Sequence, residues 1–566
     1  MRVTPASISA DRVGIEVLDS GATVSGEVSD FQGGKPRVTA RVADGVVGRK
    51  LVDWIWLRTA LPERLKPATP LRFTAPRLEW SAAGLDVAAE ANVKAGPSLS
   101  VDLSKRGKTF TLRRATIKDR DSDASISLAM HDSLLEVGFA GVLAARSVAP
   151  LFGHPAEGYP GTVKGDLQAT LDLTRPGRSA ARGTLAGEHV DLRELTGAPL
   201  QLERFDLQGA GNALQIRELT LDWAQQKATI RGTIAREANA LGTNLEIDSP
   251  GIVIEALRAT PAAKAADAPA EKESKPRRSL GLWSLPLKGT VSLRTDFVAY
   301  RGYRVQGIRA VATLERETMA INVAEASLCG IAFPLSFRVT PKDFDASANI
   351  TVKDQSLEEV VKCLGGNNVV ITGNFDMTSV LTSKGPTQRF GESLAENLAG
   401  SVTVATRDGQ IRKMALLGNI LSLKSVRDVV KGDVGFGAKG FDYRSIAVGA
   451  KIANRELTIE QAALDSPALG LAAAGTINLT NYDSRLTVLV APFGTLDRIV
   501  RKIPVLGYVI GGAFTSIPVG VSGDIRDPLV APLGPRAVGS EVLGVFERTF
   551  KLPGRLVEPL TTKPSE

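Results

Sequence analysis

Apolar and polar residues alternate along most of this chain, in short runs separated by polar turns. The pattern is clearest between positions 213 and 235, where every second residue of each run is apolar. The apolar positions there are Leu214, Ile216, Leu219, Leu221, Trp223, Ala228, Ile230 and Ile234. A period of two residues is typical of strands in a sheet that is wet on one face. Connections such as Gly211-Asn212 are too short for helical crossovers, so the pattern predicts a mainly β fold with an antiparallel sheet.

The strand pattern also repeats on a longer scale. A glycine followed by two alternating strands with turns recurs loosely from Gly183, Gly289 and Gly400. Weak self-similarity of this kind indicates stacked, repeating strands rather than a closed domain.

A few segments break the alternation and predict short amphipathic helices. The clearest is 411–431, where apolar residues are spaced by three and four. Segments 50–61 and 355–364 are shorter candidates, and two more helices are expected near the C-terminus, one before Pro504 and one over 538–550. As candidates for a cap or a membrane-facing surface, these helices supply Leu416, Ile420, Leu423, Leu496, Ile499, Val500, Ile503, Leu543, Phe546 and Phe550.

One segment divides the chain by composition. Positions 259–280 are rich in Ala, Pro and charged residues and show no apolar period, as in a linker or a long loop. We therefore expect an N-terminal strand region over 1–258 and a C-terminal strand region with terminal helices over 281–566. The other possibility is that 259–280 is only a loop projecting from one continuous sheet.

The stretch 503–522 carries no charge and approaches the length of a membrane span. Glycines and prolines interrupt it too often for a stable spanning helix. The sequence favours a turn between a helix and a strand that packs on the sheet or touches lipid.

The chain is basic, with a formal net charge of +8 and a sequence pI near 9.3. A basic balance alone raises only non-specific attraction to anions, and no arginine-rich or aromatic-plus-basic recognition motif is present. Nucleic acid is therefore not expected as a partner. An anionic membrane surface is the more natural one.

No residues suggest catalysis, a cofactor or a metal. The G-x-G-x-x-G match at 435–440 has a helix before it and a strand after it, the reverse of a dinucleotide site. The carboxylates of Asp119, Asp121 and Asp123 lack the Gly and Glu that a calcium loop needs, so we expect a solvated turn. The three histidines lie near no nucleophile or ligand cluster. The sequence predicts a non-enzymatic protein.

The two cysteines, Cys329 and Cys363, form no CxxC or Cys/His motif. Two lone cysteines in a large chain are usually buried thiols. A bridge between them becomes plausible in an oxidising compartment.

The C-terminal part of the chain resembles the AsmA-like family, in particular the AsmA-like C-terminal region of large envelope proteins from Gram-negative bacteria. The match extends from about Gly289 to Pro559, and upstream only the strand pattern is shared. The residues that carry it are turns and strand ends: 474–479, 487–492, 503–508, Gly511-Gly512, 516–519, 521–524, Asp527-Pro528, and the strand at Cys329-Gly330 with Cys363 downstream.

The resemblance implies a fold and a function. The fold is an elongated, curled antiparallel β-sheet with an open apolar groove, in a periplasmic protein held in the inner membrane by an N-terminal helix. Relatives are implicated in moving phospholipid between the inner and outer membranes. The N-terminus of this chain has no apolar segment of that kind, so we expect an anchor upstream in the full-length form.

The alternation supports the same mechanism, because a sheet that is apolar on one face must bury that face against something. Acyl chains in an open trough would gain ~0.8 kcal/mol for each methylene shielded from water. An ordinary two-layer core would bury the same residues. The candidates for contact with lipid are Leu469, Leu471, Ile477, Leu479, Leu486, Val488 and Val490.

A second hypothesis is an assembly or scaffold protein that influences the insertion of outer-membrane proteins. In that case an edge of the groove would pair with a strand of a client protein. Its partners would be envelope proteins, whereas the first hypothesis predicts phospholipids and a membrane surface.

Overall fold

A computed structural model describes the chain over fourteen stretches of residues. These are 2–30, 36–57, 66–92, 96–107, 109–131, 134–152, 160–193, 199–258, 286–364, 369–423, 426, 440–467, 469–492 and 517–534. The fold is mainly β, as the alternation predicts, with mostly antiparallel strands and a few short helices. The predicted linker 259–280 lies outside the described residues.

The chain divides into two compact units, Met1–Arg304 with Val311–Glu317, and Val305–Ala310 with Thr318–Glu566. The strands up to the division are β1 (Arg2–Val3), β2 (Ser7–Val17), β3 (Ser20–Ser29), β4 (Arg37–Val47), β5 (Leu71–Ser81), β6 (Gly84–Asn92), β7 (Ser98–Arg106), β8 (Thr109–Lys118), β9 (Asp123–His131), β10 (Leu134–Ala144), β11 (Thr162–Gly165), β12 (Gln168–Asp172), β13 (Ala180–Asp191), β14 (Leu200–Gly211), β15 (Ala213–Trp223), β16 (Gln226–Arg236), β17 (Leu241–Ser249), β18 (Ile252–Val253) and β19 (Leu287–Tyr300). Strand β20 (Tyr303–Glu315) is divided between the units.

In the first unit, β1 to β10 pair in sequence order as an antiparallel meander. Strands β11 and β12 both lie between β10 and β13, and β13 to β17 continue the meander. Strand β19, which follows the predicted linker, pairs in parallel with β17 and also belongs to this unit. The helices are α1 (Arg49–Trp56), α2 (Ala145–Val148) and α3 (Ile254–Arg258), with 3-10 turns at Ala149–Phe152 and Pro176–Arg178.

The strands of the second unit are β21 (Thr318–Leu328), β22 (Ile331–Ala332), β23 (Leu335–Val339), β24 (Asp343–Ser356), β25 (Val370–Ile371), β26 (Asn374–Pro386), β27 (Ala399–Lys413), β28 (Phe441–Ala453), β29 (Glu456–Asp465), β30 (Leu469–Asn478), β31 (Asp483–Pro492), β32 (Ile517–Asp524) and β33 (Leu529–Pro532). They pair antiparallel in the order β21, β23, β24, β26, then β27 to β33. Its helices are α4 (Leu357–Cys363), α5 (Phe390–Glu396) and α6 (Ala415–Ser422), with a 3-10 turn at Thr387–Arg389.

The recurring glycines have a physical role in the sheets. Gly289 and Gly400 both have positive φ, of +129° and +149°. A Cβ at either position would lie 1.9 Å from a carbonyl oxygen of the neighbouring strand, that of Thr243 or Val380. Only glycine fits such a close approach, so the repeated Gly marks places where adjacent backbones touch.

The helix expected over 411–431 begins later than its apolar spacing predicts. Residues up to Lys413 belong to β27, and α6 covers only Ala415–Ser422, with Leu423 as its C-cap. Ile411 is fully buried opposite Phe441 of β28, so sheet pairing and burial outweigh local helical spacing there. Among the residues after Leu423, only Val426 is described before position 440.

Candidate functional site

The predicted lipid-contact residues lie mostly on one face of β30 and β31. Leu471 pairs with Val490 and Ile477 with Ser484, while Leu486 and Val488 pair across to Val521 and Val519 of β32. Directly paired residues in an antiparallel ladder share a face, so these positions form one apolar surface. Leu479 follows the end of β30, is 38% exposed, and donates its backbone N–H to the carbonyl of Arg455.

This surface is closed by protein. Leu469, Leu486, Val488 and Val490 are at most 5% exposed. They belong to one cluster with the side chains of α6, and Leu471 and Ile477 pack against that cluster. The buried members from α6 and the residues after it are Leu417, Ile420, Leu421 and Val426. In this conformation the four buried candidates present no surface to an acyl chain.

The predicted cap residues on α6 also face protein. Ile420 is 1% exposed, and Leu416 and Leu423 pack against the same cluster. Asn419 donates from Nδ2 to the carbonyl of Pro528, 2.9 Å away, which ties the helix to the hairpin of β32 and β33. The helix therefore forms a second layer over this part of the sheet. The remaining candidates, Leu496, Ile499, Val500, Ile503, Leu543, Phe546 and Phe550, lie outside the described residues.

Cys329 and Cys363 are joined in a disulfide. Cys363 is the last residue of α4, and Cys329 follows β21 with a positive φ of +55°. Helix α4 buries Val360 against Val352 and Phe375 of the sheet. The disulfide thus fastens α4 across the apolar face at this point.

The first unit contains a second apolar surface, which the site prediction from sequence missed. Rows of apolar side chains cross the strands β5 to β10 in register. The longest row pairs Leu78 with Val87, Val87 with Leu103, Leu103 with Leu112, Leu112 with Leu128 and Leu128 with Val137. A neighbouring row consists of Ala89, Val101, Ala115, Ile126 and Phe139. The sequence contains a signal, because apolar and polar residues alternate over most of each strand. Bulges in β5 and β8 shift this alternation, so only the register shows that the rows align. We call this surface, from β5 to β10, the open face.

Exposure on the open face is graded from one edge to the other. At the edge formed by the turns before β5, β7 and β9, the apolar residues are buried: Leu71, Ala91, Ile117 and Ala124 are at most 9% exposed. Toward the opposite edge, Leu78 is 37%, Val137 40%, Trp80 43% and Met130 50% exposed. The middle of the longest row is half-buried. The face is therefore closed along one edge and accessible along the other.

Two short helices, α1 and α2, follow strands that end at this edge. Helix α1 starts after Gly48, where the carboxylate of Asp19 accepts the backbone N–H groups of Lys50 (2.8 Å) and Leu51 (3.2 Å). The Lys50 bond holds the pKa of Asp19 below its ordinary value, as expected for an N-terminal cap. At α2, Ser147 is buried and its hydroxyl lies 2.7 Å from that of Ser122.

The reverse side of these strands carries an ion network. Arg113 lies between two carboxylates, with Nη1 3.2 Å from Asp86 Oδ1 and Nη2 2.6 Å from Asp102 Oδ1. Arg106 also pairs with Asp86, and that hydrogen bond is the main cause that lowers the pKa of Asp86. The hydrogen bond to Asp102 raises the pKa of Arg113. This side is therefore polar and salt-bridged, so the strands are apolar on one face only.

The Asp119 turn is tied by its own backbone. Asp119 Oδ1 accepts the N–H groups of Asp121 and Ser122, both at 2.8 Å. Within the described residues, no group of three or more His, Cys, Asp or Glu side chains is arranged to hold a metal ion. Over the same part of the chain, no helix is long and apolar enough to cross a membrane.

No protein-family model matches the chain, and no curated protein matches it in sequence. The class is therefore defined by the fold alone: a mainly β protein with strands that are apolar on one face.

Proposed function

We propose that this protein is a non-enzymatic lipid-handling protein of the Gram-negative periplasm, which shields phospholipid acyl chains on an apolar sheet face during transport between the inner and outer membranes. The observation that carries the proposal is the open face of the first unit. Its longest row runs through directly paired residues on six strands, from Leu78 to Val137, and the face remains accessible along one edge.

Energetics favour an apolar occupant. Burial of apolar surface contributes roughly 25 cal/mol per Å², so a partly exposed row of Leu and Val side chains is costly in water. Contiguous exposed apolar patches on a soluble protein usually mark a binding surface. An acyl chain is apolar along its whole length and matches a row of aliphatic side chains better than a peptide, which brings backbone polar groups.

The compartment is inferred from the disulfide. Structural disulfides persist in oxidising compartments such as the periplasm and are rare in the cytosol. The Cys329–Cys363 bond therefore supports a periplasmic location. The net charge of +8 favours contact with anionic bilayer surfaces.

The alternative of a scaffold that captures client strands needs an accessible edge strand. In the second unit, β33 has four residues and ends in Pro532, and short strands and prolines are devices that block edge pairing. In the first unit, β1 pairs only with Ile8 and Ser9 of β2, so the edge of β2 over 10–17 has no paired strand among the described residues. This edge is the observation that favours the alternative.

The direct test is lipid recovery from purified protein. Organic extraction and mass spectrometry should find phospholipid in stoichiometric amounts. The protein should also withdraw a fluorescent phospholipid from vesicles of phosphatidylethanolamine and phosphatidylglycerol. Protein that is folded but lipid-free, and that withdraws none, would refute the proposal.

A paired set of variants assigns the binding to the open face. Leu103→Asp combined with Leu128→Asp places two charges in the longest row, and we expect most lipid withdrawal to be lost. Thr116→Asp is the matched control, because Thr116 lies on the reverse side of the same sheet between Ser100 and Ser125. Equal losses in both variants would show that the face is not the site.

A further inference from the structure

One residue interrupts the apolar pattern of the open face. The inward positions of β7 are Leu99, Val101 and Leu103, and the next is Lys105. Lys105 pairs with Leu85 on one side and Phe110 on the other, so its side chain starts from the apolar face.

Lys105 is an exposed cation without an ion pair among the described residues. Its neighbour Arg106 points to the reverse side and pairs with Asp86. On the open face the cross-strand neighbours of Lys105 are hydrocarbon only. The chain thus places an uncompensated positive charge at the border of an apolar surface.

Lys105 lies at the accessible edge of the open face. It lies one residue before the end of β7, next to the tight turn at Gly107. The same edge carries Trp80 of β5 and Met130 of β9, both half-exposed, which pair with the two neighbours of Lys105, Leu85 and Phe110. A tryptophan and a lysine at an apolar–aqueous border are the arrangement found where proteins meet lipid head groups.

The dimensions of the face match one lipid. Six residues separate Lys105 from Leu99, which corresponds to about 20 Å along a strand. One leaflet is half of the hydrocarbon core of a bilayer, or about 15 Å. The face is therefore long enough for a lipid with its phosphate at Lys105 to lay its tails along the strands toward the buried end at Ile117 and Ala124.

We infer that the Lys105 ammonium binds the phosphate of a phospholipid whose acyl chains lie on the β6–β9 part of the open face. The inference rests on the proposed function and adds the orientation of the lipid and the group that recognises its head. Lysine is a common phosphate ligand, and hydrogen bonds to a charged partner are about twice as strong as neutral ones.

The test compares two lipids with the same acyl chains, phosphatidylglycerol and diacylglycerol, in binding assays on the full chain. Lys105→Met keeps the apolar stem and removes the charge. We expect it to weaken phosphatidylglycerol binding about tenfold and to leave diacylglycerol binding unchanged. Lys105→Arg should restore the preference. The matched control is Lys164→Met, which removes an exposed lysine from the reverse side of β11 and should change neither affinity.

The outcomes separate the two proposals. If wild type binds both lipids and Lys105→Met leaves their affinity ratio unchanged, the headgroup assignment is overturned while lipid handling stands. An equal loss in Lys164→Met would assign the effect to net charge and would also overturn it. If wild type binds neither lipid, the proposed function itself fails.

Discussion

The open face of the first unit and the buried surface on β30 and β31 of the second unit start from the same pattern of residues. Both consist of antiparallel strands with aliphatic side chains on one face. Val488 and Val519 are at most 2% exposed, whereas Leu78 and Val137 are 37% and 40% exposed. Two surfaces with the same alternation of aliphatic and polar residues therefore differ in whether solvent reaches them.

The connections between strands make the difference. In the second unit the chain leaves β27 into α6, which lays Leu417, Ile420 and Leu421 over the sheet. At the accessible edge of the first unit the connections after Ser81 and after Arg106 are two-residue turns, which are too short to fold back over the face. Insertions thus decide which part of a one-sided sheet becomes a core and which part remains a surface.

The largest expected difference is between matched cavity variants in the two regions. Leu469→Ala removes a fully buried side chain and should cost about 2–5 kcal/mol, through lost transfer energy and a cavity. Leu103→Ala removes a half-buried side chain with water nearby, and should cost about 1 kcal/mol. Hydrogen-exchange mass spectrometry on peptides from β30–β31 and β7–β8 would measure both. Equal losses of protection would contradict the distinction between a closed and an open surface.

The second-largest effect is expected from removal of the disulfide in the second unit. The disulfide closes a loop with a sequence separation of 34, for which a chain-entropy model predicts about 3–4 kcal/mol. Cys329→Ser should deprotect α4 from hydrogen exchange and leave peptides of β7–β8 unchanged. Cys363→Ser should behave identically. A titration of free thiols in unreduced, denatured wild type should find none, and two thiols would exclude the bond.

A smaller, spectroscopic effect tests the exposed apolar surface directly. The wild-type protein should enhance the fluorescence of a hydrophobic dye under native conditions, because the rows around Leu103 are accessible. Leu103→Asp with Leu128→Asp should reduce this signal, while Thr116→Asp should not. An unchanged signal in the double variant would mean that the dye binds, and that accessible apolar surface lies, outside the open face.

The smallest effect concerns surface ion pairs. Asp524 accepts hydrogen bonds from Arg526 Nε at 2.9 Å and Nη2 at 2.6 Å, and these bonds lower the pKa of Asp524 to about 2. Because this pKa is depressed, any stabilisation is complete above the ordinary value of 3.8 and is lost as the pH falls toward 2.

Selective carbon-13 NMR of aspartate would check this titration. Arg526→Met should return the midpoint of Asp524 toward 3.8, and Arg485→Met, an exposed control, should not. The thermal midpoint should change little in either variant, because exposed ion pairs contribute little to stability. A large change in the thermal midpoint would mean that the two regions differ in stabilisation by charge as well as in apolar burial.

The alternation of residues was enough to predict the fold class and the faces of individual strands. Leu471 and Ile477 share a face with Val490 because a strand has a period of two, which is a local property. The glycines at 289 and 400 could be recognised as repeat markers for a similar reason. The sequence alone does not decide whether Cys329 and Cys363 form a disulfide, since this depends on which segments come together in the fold.

Tertiary structure alone decided what each face contacts. Ile411 entered a strand instead of a helix because Phe441, thirty positions later, pairs with it. The helix that follows then closed the surface around Leu469 and Val488, although their strands show the same alternation as those of Leu103 and Leu128. Likewise, only the strand register shows that Lys105 lies between Leu85 and Phe110 on the apolar face. Local periodicity determines which side chains share a face, whereas long-range pairing and the paths of the connections determine what covers that face.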